Sequence, residues 1–256
     1  MLAFTRGSGV LSRFRNSQSA PVVVEPVPTV FPEIGGADIA AVFSGKRVAG
    51  DFYDAFPRSG LPPGEQRYLL AVADVAGKSI PAAMLMATFQ ASLKTLSATS
   101  TSLADLAAGM NRYACGNSQS GLRFTTAFLG EFDPATCELT YINAGHNAPM
   151  LRRASGQVER LTQGGLPLGI TDSAAYEATK VLLRPDDWLV IFTDGVIEAV
   201  NRADEEYGEE RLLSVLQSAG GAAPDQLLSR IMVNLDLFVG EARQHDDITC
   251  MVVKIS

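Results

Sequence analysis

The sequence predicts a layered α+β protein on three observations: helical patterns come in pairs, strand patterns come in runs, and neither a repeat nor a heptad divides the chain. The first residues contain Ser, Arg and then APVVVEPVPTVFP ending at Pro32, whose prolines suit an extended tail or linker over residues 1–31. Residues 32–256 show no composition break and read as one domain of about 225 residues. Two strand candidates, Arg47 to Phe56 and Tyr68 to Ala73, flank a Pro/Gly-rich loop, PRSGLPPGEQR. Pro81 suits the first turn of a helix, and Ala82 to Leu96 continue it with strong helix formers. Ser102, with Asp105 three residues on, predicts the capped start of a second helix through LAAGMNRYA. LRFTTAFLGEF, CELTYINAG, PMLRR, QVERLT and YEATKVLLR then read as short strands of an antiparallel meander. DDWLVIFTDG adds a buried strand, EERLLSVLQSA and PDQLLSRIMVNLDLFV a second helix pair, and ITCMVVKI a closing strand.

Composition narrows the function. The chain has 256 residues, 46% hydrophobic, without an apolar run of membrane-spanning length or a secretory h-region, so a cytoplasmic protein with no membrane association is expected. Three widely spaced cysteines, Cys115, Cys137 and Cys250, suit buried thiols rather than a disulfide frame or a zinc site. A net charge of −7 with no clustered Lys/Arg face argues against nucleic acid as a partner. Acidic chains do collect divalent cations.

The carboxylates fall in a recurring place. Tyr68 to Ala73 meets Asp74, Trp188 to Phe192 is followed by Thr193, Asp194 and Gly195, Asp246 and Asp247 precede Ile248, and Asp51 sits in a fourth strand-like segment. An ionised carboxylate beside a buried strand is costly unless it is paired or holds a cation. Oxygen donors of this kind suit Mg²⁺ or Mn²⁺, whereas zinc draws on His and Cys. Only two histidines exist. Taken singly, each Asp also fits an ordinary turn or helix cap. The residues alone therefore lead to an acidic divalent-metal site and no further.

AGDFYD at Ala49 to Asp54, DVAGKSIPAAMLMA from Asp74, NAGHNAPML from Asn143, PLGI from Pro167, FTDGVIEAVN from Phe192 and DDIT from Asp246 occur in this order. Together they resemble the metal-dependent PPM serine/threonine phosphatases, in the bacterial branch of RsbU and stage II sporulation protein E. One departure is Ala49, where the family pattern has glycine. The resemblance implies a four-layer αββα sandwich of two mainly antiparallel sheets flanked by helices. It further implies two divalent cations, Mn²⁺ or Mg²⁺. Asp74 would bridge them and the Val75 carbonyl would bind one; Asp51 would hold one side, Asp194 and Asp246 the other, with Asp247 a ligand or backing one. Asp51 and Asp74 are thus the catalytic candidates.

The expected chemistry is attack of a metal-activated water on phosphoserine or phosphothreonine, without a covalent protein nucleophile. By resemblance the substrate is a phosphorylated anti-sigma-factor antagonist in a partner-switching pathway, with an activating partner or a homodimer as regulator. A catalytically weak interaction module and another two-metal hydrolase, such as a nuclease, are the alternatives. Asp54, His146, His245, Lys78 and Glu198 have both structural and catalytic readings, and the helix from Pro81 to Ala98 is a candidate lever on Asp74 and Val75.

Overall fold

Side-chain alternation along two central strands, one in each sheet, sets the architecture. In β4 (Tyr68–Val75), Tyr68, Leu70 and Val72 join one apolar cluster while Leu69, Ala71, Ala73 and Val75 join another. In β12 (Ile248–Ile255), Met251, Val253 and Ile255 share the first cluster, and Ile248, Cys250 and Val252 belong to a third. Strands apolar on both faces need cover on both sides, so two sheets stack face to face and helices close the outside.

The computed structural model describes residues 3–6, 30–45, 50–77, 80–117 and 123–256. One sheet contains β1 (Ala3–Arg6), β2 (Ala37–Ser44), β12, β11 (Trp188–Phe192), β7 (Met150–Arg152) and β8 (Val158–Arg160), in that order. The other contains β10 (Thr179–Leu182), β6 (Glu138–Ala144), β5 (Thr125–Asp133), β4 and β3 (Asp51–Pro57), with β9 (Gly164–Gly165) parallel to β6. Every other pairing is antiparallel. Helices α1 (Ile80–Ser97) and α2 (Leu103–Asn117) pack on the second sheet through Met86, Phe89, Leu93, Leu106 and Met110. Helices α3 (Asp194–Ile197), α4 (Gly208–Gln217) and α5 (Pro224–Val239) pack on the first through Val196, Leu212, Leu216, Leu228 and Ile231. The αββα sandwich is therefore present, as the resemblance implied.

Both helix pairs, β11 and β12 match the sequence reading, and the Ser102 cap is in place, its Oγ accepting from the Asp105 N–H at 3.0 Å. Other elements differ. The strand expected at Arg47 to Phe56 begins at Asp51, and residues 46–49, which include Ala49, lie outside the described residues. β4 runs past Ala73 to Val75, so Asp74 lies within the strand. The five-strand meander does not form as such: β5, β6 and β10 stay in one sheet while the β7–β8 hairpin crosses to the other and pairs with β11. A local pattern carries no record of which sheet a hairpin joins. β2 and β9 were not foreseen, and Ala3–Arg6, within the expected tail, pairs with β2.

Candidate functional site

β3 and β4 place two acids opposite each other. Their antiparallel register pairs Asp51 with Asp74, and directly opposed residues in such a ladder are about 5 Å apart at Cα. Both fall on the face shared with Tyr53 and Val72, toward the other sheet. At the same end of that other sheet, β11 ends in Phe192 and leads through Thr193 into Asp194, and Asp246 and Asp247 lead into β12. The two turns touch closely. A Cβ added to Gly195 would lie 1.9 Å from the Asp247 carbonyl oxygen, so only glycine admits this approach. Asp247 in turn accepts the Gly50 N–H on Oδ2 at 3.2 Å, tying the second acidic turn to the start of β3.

The electrostatics record the crowding. Asp51 is 2% exposed, and its carboxyl is held well above the usual carboxylate range, first by burial and then by the charge of Asp74. Hydrogen bonds from Thr249 and Thr193 oppose that rise. Asp74 is pushed up to about 6 by burial and by the charges of Asp194, Asp246 and Asp247, partly offset by a hydrogen bond with Asp51. All the candidate acids thus meet at one edge of the cleft between the sheets.

A side chain at Gly50 would intrude on two of the oxygens at this edge. A Cβ at Gly50 would sit 2.9 Å from the Val75 carbonyl oxygen and 3.0 Å from Asp74 Oδ1, so glycine leaves both oxygens open to the same space. Among the described residues no three His, Cys, Asp or Glu side chains close round a point as a complete metal shell. Several carboxylate oxygens are turned to protein donors: Asp51 Oδ2 to two hydroxyls, Asp247 Oδ2 to Gly50, and Asp246 Oδ1 to the Asp247 amide at 2.9 Å. What the site displays is concentrated negative charge beside an open carbonyl.

The remaining candidates separate from this centre. Asp54 lies on the opposite face of β3 and is buried; its Oδ2 is 2.8 Å from Lys94 Nζ of α1 without hydrogen-bond geometry, so the contact is ionic and structural. His146 is buried, its N–H donating to Asn143 Oδ1 at 2.7 Å and its Nδ1 3.0 Å from the Thr126 hydroxyl. Burial holds its pKa down at about 4, against a weaker pull from the Phe192 carbonyl, so the ring is neutral near pH 7 and its backbone amide fixes the NAGH turn. Pro167 of PLGI packs against Gly145 of that turn, and Leu168 exchanges backbone hydrogen bonds with Thr125, both 2.8 Å. Those two motifs therefore brace the end of β5 beside Asp74. Glu198 is exposed and its N–H caps α3 on the Asp194 carbonyl at 2.8 Å. His245 is exposed, and Lys78 lies outside the described residues. None of the three cysteines forms a disulfide; Cys250 is fully buried, whereas Cys115 and Cys137 are only partly so.

The family model for stage II sporulation protein E matches residues 64–256. The chain belongs to the stage II sporulation protein E family. This SpoIIE-family chain is 28% identical over 255 residues to protein IcfG of Synechocystis, which covers 89% of the chain and 39% of that relative. It is 26% identical over 228 residues to phosphoserine phosphatase RsbU of Bacillus subtilis, covering 88% of the chain and 65% of the relative. It therefore spans less than two thirds of either. The RsbU and RsbW domains of Rv1364c from Mycobacterium tuberculosis share its fold at a TM-score of 0.70 and 24% identity, over 87% of this chain and 62% of that one.

Two site residues escaped the sequence reading. Thr193 and Thr249 sit inside the quoted FTDG and DDIT motifs, where the acids drew all the weight, yet both hydroxyls donate to Asp51. A signal was present: each is a hydroxyl at an inward position of an otherwise apolar strand pattern.

Proposed function

We propose that the chain is a Mg²⁺/Mn²⁺-dependent protein phosphatase that hydrolyses phosphoserine or phosphothreonine in a cytoplasmic signalling pathway, its target a phosphorylated anti-sigma-factor antagonist. The observation that carries this reading is the meeting of Asp51 and Asp74, in register, with Asp194, Asp246 and Asp247 at the mouth of the sheet cleft. The residues present are of the oxygen-donor kind that two such cations would take. Asp74 would serve both cations and the Val75 carbonyl one of them, on the side that Gly50 leaves clear. Asp51 would hold one side, Asp194 and Asp246 the other, with Asp247 steadying the second turn through Gly50. When bound, two such cations supply the acidity that readies a water and the positive charge that offsets the phosphoryl oxygens during in-line attack.

The chain's own groups then have simple duties. Asp51 and Asp74 are catalytic by keeping their charges at the reacting edge, and His146, buried and neutral, takes no proton from the reaction. The name of the relative RsbU, a phosphoserine phosphatase, supports the substrate class. An interaction module without catalysis has no use for an acid as deeply buried and as strained by its neighbours as Asp51. The test is manganese-dependent phosphate release from a phosphoserine protein by wild type and Asp74→Asn. Loss of at least 100-fold in the variant is expected if Asp74 acts in the reaction; equal rates overturn the proposal.

A further inference from the structure

We infer that Thr193 and Thr249 are positioning residues of this centre: by gripping Asp51 they set the registration between the two sheets that carry its two halves. The inference rests on the metal-dependent reading above and adds to it the device that holds the split site together.

The split is a matter of topology. Asp51 and Asp74 belong to β3 and β4 of one sheet, while Asp194 and Asp246 flank β11 and β12 of the other. Between the sheets lies an apolar cluster that includes Tyr53, Val72, Phe128, Ile191 and Met251. Apolar packing is non-directional and tolerates small slides, so it does not by itself fix oxygen atoms in space. Directional contacts at the site end do. Asp51 Oδ2 accepts from Thr193 Oγ1 at 2.8 Å and from Thr249 Oγ1 at 2.7 Å, and both threonines are fully buried.

The hydrogens are also specified. Thr193 Oγ1 accepts the Thr249 N–H at 3.0 Å, so its single hydroxyl hydrogen is left for Asp51. The Thr193 N–H donates to the Thr249 carbonyl at 3.1 Å, which continues the β11–β12 ladder past Phe192 and locks the two threonines to each other. Their branched Cβ atoms restrict rotation and keep each hydroxyl in place. Asp51 Oδ2 is thereby committed to the first sheet. Thr193 immediately precedes Asp194 and Thr249 follows Asp247 by two positions, so the segments that supply the second half of the acidic set also grip the first half.

The experiment uses the full chain. Mn²⁺ affinity is measured by titration calorimetry, and kcat and KM with p-nitrophenyl phosphate, for wild type, Thr193→Val, Thr249→Val and the two Thr→Ser variants. Each valine variant is expected to bind Mn²⁺ about 10-fold or more weakly, as loss of a ligand's hydrogen-bond partner does elsewhere. kcat should fall with it while KM changes little. The serine variants, which keep the hydroxyl, should stay within about twofold of wild type. Valine variants that bind like wild type, or serine variants as weak as valine, overturn the inference. If Thr249→Val does not fold, the double variant Asp51→Ala/Thr249→Val decides: it should fold, because the buried carboxylate that lost its donor is gone. A double variant that still fails to fold shows that Thr249 acts through something other than Asp51. A wild type that neither binds Mn²⁺ nor releases phosphate overturns the phosphatase reading and this inference with it, whereas a wild type that does both while the variants are unaffected overturns this inference alone.

Discussion

Asp74 sits where charge is least welcome and most useful. Its pKa of about 6 lies above the ordinary 3.8, so the folded protein binds this proton more tightly than the unfolded chain. Acidification from about pH 6 towards 3.8 therefore relieves the metal-free fold, and at neutral pH the ionised group costs at most about 3 kcal/mol. Asp74→Asn should then raise the urea midpoint of the chelator-treated protein at pH 7 while abolishing catalysis; a lower midpoint would show that the acid contributes net stability. His146 runs the opposite way. Its pKa is depressed from 6.5 to about 4, so the unfolded chain takes up the proton first and stability is lost as pH falls from about 6.5 to about 4, by no more than about 3–4 kcal/mol. His146→Gln, compared with its parent in the Asp74→Asn background to remove the opposing proton, should flatten that acid-side decline in urea melts between pH 7 and 4.5. At this scale the acids were legible because Asp is conspicuous in an apolar run. The threonines were not, since a hydroxyl's role depends on which carboxylate it meets.

Among the elements, α1 is tied down at the end remote from the site. Arg58, at the far end of β3, is 7% exposed, pairs with Glu131 of β5, and donates from Nη2 to the Ser100 carbonyl just beyond α1 at 2.5 Å. Lys94 adds its contact with Asp54 and lies over the Phe56 ring, 5.2 Å from its centroid. Removing one partner of a buried ion pair leaves the other charge stranded, so Arg58→Met should destabilise by about 3–5 kcal/mol in urea unfolding, reduced where Arg67, 2.9 Å from Glu131, takes up the charge. If α1 acts as a lever on Asp74 and Val75, the same variant shifts the manganese concentration for half-maximal activity; an unchanged midpoint would leave α1 a passive cover. Helix positions were readable from Pro81, Ser102 and Pro224 because caps and helix-starting prolines act locally. β2 was passed over, its ADIAAVFS being small and plain, and it became a strand because β12 offers a full eight-residue ladder beside it.

For the whole molecule, cations that bind only the folded state must stabilise it. Mn²⁺ at about 100 times its dissociation constant should add about 2.7 kcal/mol per site, seen as a rise in Tm that chelation reverses. Gly195→Ala should undo this, because its new methyl meets the Asp247 backbone at 1.9 Å and forces the two acidic turns apart. The expected cost is about 1–3 kcal/mol in metal-free stability, together with loss of the manganese-dependent rise in Tm; a variant with an unaltered rise would separate the turn contact from metal holding. Among the described residues no helix is long and apolar enough to cross a membrane.

The order of motifs, the helix pairs, the strand patterns and the identity of the acids follow from the chain alone, because caps, periodicity and an Asp in an apolar run are properties of neighbouring residues. The sheet to which each hairpin belongs, the facing of Asp51 and Asp74, and the grip of Thr193 and Thr249 on a carboxylate some 140 and 200 positions away arise only on folding. Those depend on contacts between segments whose separation along the chain carries no information about their distance in space.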